Sequence, residues 1–257
     1  MKIIVIMKQT FDTEEKIVIE NGVIDKENVE LIINPYDEYA IEEAVKLKEK
    51  HGGDVTVITV GTDEAESALR TALAIGVDHA ILVEMEEDAV QLDENGIANV
   101  LATVIKEKEF DLILGGNMSV DNGASQVGPR LAEVLNIPHI ATITKIEVDG
   151  KNVKAERDAE GDVEIIESSL PILVTAQQGL NEPRYPSLPG IMKAKKKPIQ
   201  KLSMEDLDIE EELLQPLSKI VECYLPKKKP SGRILKGDLS NQVEELVQLL
   251  CHEAKVI

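Results

Sequence analysis

The sequence runs to 257 residues with 43% hydrophobic side chains, enough for one large α/β domain with an appended arm, or for two small domains. A net charge of −20, with no Trp, two Phe and four Tyr, argues against a nucleic-acid binder, which needs a basic face to displace counterions and rings to stack bases. The longest apolar runs are of strand length, far short of the ~20 residues of a membrane span, and Cys223 and Cys251 lack the spacing of a zinc site or a disulfide framework.

In chain order, the apolar run Ile3–Met7 begins almost at the first residue. No small-residue cleavage site or Arg/Ser-rich amphipathic stretch precedes it, so a cytoplasmic location is expected. Lys16–Glu20 and Val23-Ile24 flank Asn21-Gly22, which tolerates positive φ at both central turn positions, and they read as a hairpin. From Pro35 to Lys50 the residues Ala40, Ile41, Ala44, Val45 and Leu47 share one helical face, and Gly52-Gly53 ends it. The strand Val55–Val60 leads to a second helical pattern, Asp63 to Ile75, which stops at Gly76. Strands at Ala80–Val83 and Asp111–Leu114 then alternate with helices at Ile97 to Lys108 and Gln126 to Leu135. Continuous apolar strands between amphipathic helices predict an α/β fold: a doubly wound, mostly parallel, Rossmann-like sheet of the adenine-nucleotide-binding kind, covered on both faces.

Ile143–Val148, Asn152–Arg157 and Val163–Glu167, with turns at Asp149-Gly150 and Glu160-Gly161, read as an antiparallel meander inserted before the strand Ile172–Ala176. Beyond it, Pro183, Pro186, Pro189, Pro198, Pro216, Pro226 and Pro230 punctuate an extended C-terminal arm. The arm ends in a helix from about Ser240, with Val243, Leu246, Val247, Leu250 and Ala254 on one face. Such an arm has little core of its own and should lie on another surface, of its own domain or of a partner chain. The expected organisation is a nucleotide-binding domain over 1–183 and a loop and arm over 184–257.

Familiar fingerprints are absent: no GxGxxG follows the first strand, and there is no GxxxxGK[ST], HExxH or GxSxG. A doubly wound sheet still binds nucleotides at the carboxyl ends of its strands. The run from Gly115 to Pro129 has the small and polar residues that let a backbone approach a ligand, and it opens a helix near Ser125 or Gln126 whose free N–H groups suit a phosphate. It is equally an ordinary strand-to-helix loop. Asn34-Pro35-Tyr36-Asp37 reads first as a helix start, with Asn34 as cap, Pro35 at the first helical position and acids in the first turn. It also stands at the edge of the sheet where a ligand would sit.

Several segments together resemble the electron-transfer flavoprotein β family over essentially the whole chain. They are Asn34-Pro-Tyr-Asp37, Leu69-Arg-Thr-Ala-Leu-Ala74 with Gly76, Asp121 to Gly128, Arg157-Asp-Ala-Glu-Gly161 and Leu170 to Ala176. The most specific is Leu180-Asn-Glu-Pro-Arg-Tyr-Pro-Ser-Leu-Pro-Gly-Ile-Met-Lys-Ala-Lys-Lys-Lys197. The resemblance implies a subunit without catalytic groups or a metal, paired with an α subunit that holds most of an FAD, with Tyr36 close to the flavin. It implies a structural AMP against Ile6, Asn34, Pro35, Tyr36, Asp37 and Val60. The same AMP would lie along Asp121, Asn122, Gly123, Ala124, Ser125, Gln126, Val127, Gly128, Pro129, Arg130, Leu131 and Ala132. It also implies that acyl-CoA dehydrogenases dock at a loop with Leu188 as anchor, flanked by Tyr185, Pro189, Ile191, Met192 and Lys193. Electrons would leave for a quinone oxidoreductase, and Asp158 would act on the mobile flavin domain. Two rivals are a bifurcating relative, with a second FAD in place of AMP, and a stand-alone nucleotide-binding regulatory module. An adenylating enzyme needs a Gly/Ser pyrophosphate loop after the first strand, where this chain has Lys8-Gln9-Thr10-Phe11-Asp12-Thr13.

Overall fold

A computed structural model describes residues 1–20, 22–24, 29–86, 92–229 and 231–257. Asn21 of the expected hairpin turn and Pro230 of the arm lie outside the described residues. Strand β1 (Lys2–Ile6) leads through β2 (Gln9–Phe11), β3 (Ile19–Glu20), β4 (Val23–Ile24) and β5 (Leu31–Ile33) into helix α1 (Pro35–His51). Then come β6 (Asp54–Gly61), a 3-10 turn at Asp63–Ala65, α2 (Glu66–Ile75), β7 (His79–Glu84), α3 (Glu94–Lys106), β8 (Leu112–Gly116) and α4 (Val127–Leu135). The antiparallel strands β9 (His139–Asp149), β10 (Asn152–Ala159) and β11 (Asp162–Ser169) precede β12 (Ile172–Ala176), α5 (Leu188–Ala194) and β13 (Ile199–Ser203). Helices α6 (Glu211–Leu214) and α7 (Leu239–Gln248) complete the chain, α7 continuing as a wider turn over Leu249–Ala254.

Among the described residues nine strands form one sheet in the order β11-β10-β9-β12-β8-β1-β6-β7-β13. The chain runs outward from β1 to β6 and β7, then crosses back to β8 and β12 on the other side of β1. That reversal leaves a crevice beyond the carboxyl ends of β1 and β8, where doubly wound sheets take their ligands. In the middle of the sheet, over β1, β6, β7, β8 and β12, both faces are buried, which is why those strands read as apolar runs. Ile3 and Val5 of β1 face a core built with α1 and α2, while Ile4 and Ile6 face a second core built with α3 and α4.

The expected antiparallel meander forms, and β9 also pairs in parallel with β12, so its three strands widen the sheet on one side. One expectation is adjusted: the stretch after Pro198, read as extended arm, contains β13, which pairs in parallel with β7 and forms the edge strand on the opposite side. Only Ile199 and Leu202 of β13 are half-buried, too sparse a pattern to announce a strand.

By internal contacts the chain forms two compact units, Met1–Val18 with Asp25–Val221, and Ile19–Ile24 with Glu222–Ile257. In the first, Met204, Leu207, Ile209 and Leu214 pack on the second core, and Asn99 of α3 donates to the Leu213 carbonyl at 3.0 Å. In the second, the hairpin pairs Ile19 with Ile24, Gly22 has φ +79°, and Asp238 caps α7 through the Asn241 N–H.

Candidate functional site

A cavity of about 390 Å³ opens at the crevice. Its walls are Ile6 to Gln9 after β1, Val60 of β6, Leu92, Asp93, Glu94, Ile97 and Leu101 of the α3 start, and the loop from Gly116 to Gly128. Asn34 and Asp37 form its floor.

Asn34 stands at the N-cap position of α1, but its side chain makes no cap bond. Instead its amide donates to the Met118 carbonyl at 2.9 Å and its oxygen accepts from the Val120 N–H at 3.1 Å, holding the loop after β8. Its backbone N–H donates to the Lys8 carbonyl at 2.9 Å. Asp37 is buried and accepts the Lys8 and Gly116 N–H groups, each at 2.7 Å, so one carboxylate ties together the ends of the two strands that border the switch point. Burial drives its pKa up to about 7, against the lowering effect of those two N–H bonds. The glycines after β8 have an internal reason: a Cβ on Gly116 would stand 2.4 Å from the Asp37 carboxylate, and one on Gly115 would stand 2.5 Å from Ile6.

The opposite wall is polar. Lys8 Nζ reaches Asp121 Oδ2 at 2.5 Å and lies 3.5 Å from Ser119 Oγ. Burial works to raise the Asp121 pKa, but the hydrogen bond and positive charge of Lys8 lead the influences that more than offset it and leave the carboxyl below its usual value. Its other oxygen, Oδ1, is buried without a hydrogen-bond partner among the described residues. Asn122 links the loop to α3, donating to Glu94 at 3.0 Å while its oxygen accepts from Ser119 Oγ at 2.9 Å and from the Ala124 N–H at 3.1 Å. Gly123 and Ser125 both adopt positive φ, +63° and +56°, which turns the loop twice before α4. Asp93 caps α3 through the Asn95 and Gly96 N–H groups and accepts from the Leu217 and Ser218 N–H groups as well. These bonds hold its pKa low although burial pushes the other way.

Of the residues expected at a nucleotide site, Ile6, Asn34, Asp37, Val60, Asp121, Asn122, Ala124, Ser125, Gln126, Val127 and Gly128 line this cavity. Pro35, Tyr36, Gly123, Pro129 and Arg130 stand beside it, Tyr36 with its Cβ packed over Gly116. Leu131 and Ala132 are buried in the core below. Gly116 to Ser119, part of the expected ligand loop, line the cavity too, whereas Met7, Lys8, Gln9, Leu92, Asp93, Glu94, Ile97 and Leu101 also line it and were not singled out as ligand contacts in the sequence. For most of these no local signal exists, although Asp93 before a helical pattern is a capping signal.

A second feature lies on the far side of α1. Arg184 makes a fork to Glu42, at 2.8 and 3.0 Å, and a second to Glu49, at 2.7 and 3.1 Å. These acids push its pKa up from an already high value. Asn181 donates to the Tyr39 carbonyl and to Glu43, both at 3.0 Å. With the segment thus fixed, Tyr185, Leu188 and Met192 are left 94%, 80% and 62% exposed. Helix α5 sits on α2: Gly190 comes so close that a Cβ would stand 2.4 Å from the Ala74 carbonyl oxygen, and Arg70 donates to the Ala194 carbonyl at 2.8 Å and to that of Lys197. Asp158 is exposed on β10, next to the Arg157–Glu164 ion pair.

A family model described as "Electron transfer flavoprotein domain" matches residues 21–207. Over all 257 residues, and over the relative's whole length, the chain is 60% identical to the electron transfer flavoprotein subunit beta of Bacillus subtilis. The chain belongs to the electron-transfer flavoprotein β-subunit family. The subunit beta of Syntrophomonas wolfei is 40% identical, across the full chain and 98% of that protein. The mitochondrial subunit beta of Oryza sativa subsp. japonica is 34% identical, with both chains fully covered. Family membership thus rests on the whole chain, and the crevice residues from Asn34 to Gly128 and the Arg184-anchored segment lie within the matched electron-transfer flavoprotein domain, while Ile6 to Gln9 precede it. Among the described residues no helix is long and apolar enough to cross a membrane.

Proposed function

We propose that this chain is the β half of an αβ electron carrier, in which it holds a structural AMP in the crevice and presents α5 to acyl-CoA dehydrogenases. The α subunit holds most of the FAD, near Tyr36, and the electrons pass on to a quinone oxidoreductase. The carrying observation is the switch-point cavity with its buried, unpartnered Asp121 oxygen, a polar atom that calls for a donor. About 390 Å³ lies near the lower end of ligand pockets, which run from ~300 to 1,000 Å³, and favours a mononucleotide over a dinucleotide. Redox chemistry belongs to the flavin when bound; this chain's residues supply a floor, a docking surface and charge.

Denaturing the purified heterodimer and separating the released nucleotides tests the reading. One FAD with one AMP supports it; two FAD with no AMP would replace it by the bifurcating carrier. Leu188, 80% exposed between Tyr185 and Met192, offers a partner pocket one apolar side chain, worth about 1.5–3 kcal/mol on burial. Leu188→Ala is therefore expected to raise the dehydrogenase concentration needed for half-maximal flavin reduction about tenfold or more, with FAD content unchanged. Equal half-saturation in the variant and the wild type would remove Leu188 as anchor. Asp158 biases the position of the flavin domain in this reading, and matching small-angle scattering curves for Asp158→Ala and wild-type heterodimers would dismiss that role.

A further inference from the structure

Lys8 is the one lysine or arginine among the described residues that line the crevice, and its backbone is fixed from both sides. Asp37 accepts its N–H at 2.7 Å, and its carbonyl accepts the Asn34 N–H at 2.9 Å. The side chain reaches across to Asp121 and Ser119 while remaining partly open to solvent, at 43%. A half-exposed pair of this kind contributes little to stability by itself.

The carboxylates of the crevice divide into engaged and incomplete. Asp37 is occupied by the Lys8 and Gly116 N–H groups, Asp93 by four backbone N–H groups, and Glu94 by the Asn122 amide. Asp121 alone among them has a buried oxygen without a partner, and that same carboxylate positions the lysine. A ligand that completes this arrangement presents an anion to the ammonium and a hydroxyl or amine donor to Asp121 Oδ1. The sugar-phosphate portion of a nucleoside monophosphate carries both groups. Without Lys8 the ionisable lining would consist of carboxylates alone and would repel a phosphate.

We propose that Lys8, positioned by Asp121, is the residue by which this crevice selects a phosphorylated ligand over its unphosphorylated counterpart. The inference rests on the nucleotide reading above. It is tested with the full-length chain in complex with its α subunit, freed of bound nucleotide, by calorimetric titration with AMP and with adenosine. Wild type should favour AMP by about tenfold or more. Lys8→Met should abolish that preference while the adenosine Kd stays within about threefold, and Lys8→Arg should keep the preference. Lys8→Met binding both ligands equally more weakly would make Lys8 a structural residue, and a preference surviving in Lys8→Met would assign selection elsewhere; either overturns the inference. Wild type binding AMP and adenosine alike would sink it and leave a nucleoside site standing. Wild type binding neither would remove the nucleotide reading and this inference with it.

Discussion

Asp37 holds two backbone N–H groups where water does not reach, so its removal leaves both without partners. Asp37→Ala is expected to cost about 2 kcal/mol or more, from ~1–3 kcal/mol per unsatisfied buried group, read as a shift in urea midpoint. Its folded pKa, near 7, stands above the unfolded value of 3.8. The folded state therefore binds the extra proton, and the stability this gives is complete below about pH 4 and is lost as pH rises toward 7. Between pH 5 and 7.5 wild type should lose more stability than Asp37→Asn; parallel urea curves would refute the buried, proton-binding carboxyl. Arg184 poses a different case, because it stands 37% exposed over a Glu42 side chain only 6% exposed. Arg184→Ala strands that acid, and after allowance for solvent on the arginine side the loss should be about 2–3 kcal/mol. Asp37 was legible as an acid in a first helical turn, and its segment as a possible ligand contact. Lys8 was legible only as filler after β1, because its partner Asp121 lies 113 positions away.

Elements buried on both sides announced themselves, and elements that lean on a neighbour did not. β1, β6, β7, β8 and β12 are mostly apolar, with charges only at strand ends, because cores cover both faces. β13 carries lysine and glutamine at exposed positions and draws its register from β7, which no local pattern encodes. The Gly115-Gly116 pair illustrates the same gap at the site. Its small size suggested room for a ligand, whereas the room is taken by Asp37, Tyr36 and Ile6. Helix α5 depends on a similar close approach, and at seven residues it would be marginal alone. Gly190→Ala should push it off the Ala74 carbonyl at a cost of about 1–3 kcal/mol, seen as faster amide exchange over residues 188–197 with the sheet unaffected. Unchanged exchange there would mean that α5 tolerates the added methyl group.

For the whole molecule, the contrast lies between the two units. No buried core residue falls within 222–257 among the described residues, while Tyr224, Ile234 and Leu239 are 72%, 87% and 75% exposed. Trypsin should therefore cut the isolated chain first near Lys227 to Lys229, leave the sheet-bearing unit intact, and spare the arm once an α subunit is present. First cuts inside the sheet-bearing unit, or no protection by the α subunit, would contradict this.

The sheet is also lopsided in a way that matters when the chain is made in excess. β13 ends the sheet at one margin with Gln200 and Lys201 exposed, whereas at the other β11 ends it with Val163 and Ile165 each 59% exposed. A lysine on an edge strand discourages strand addition, whereas an apolar margin lets a like sheet join it strand against strand about a twofold axis. Orphaned chains should thus sediment as pairs joined through β11 before any longer polymer appears.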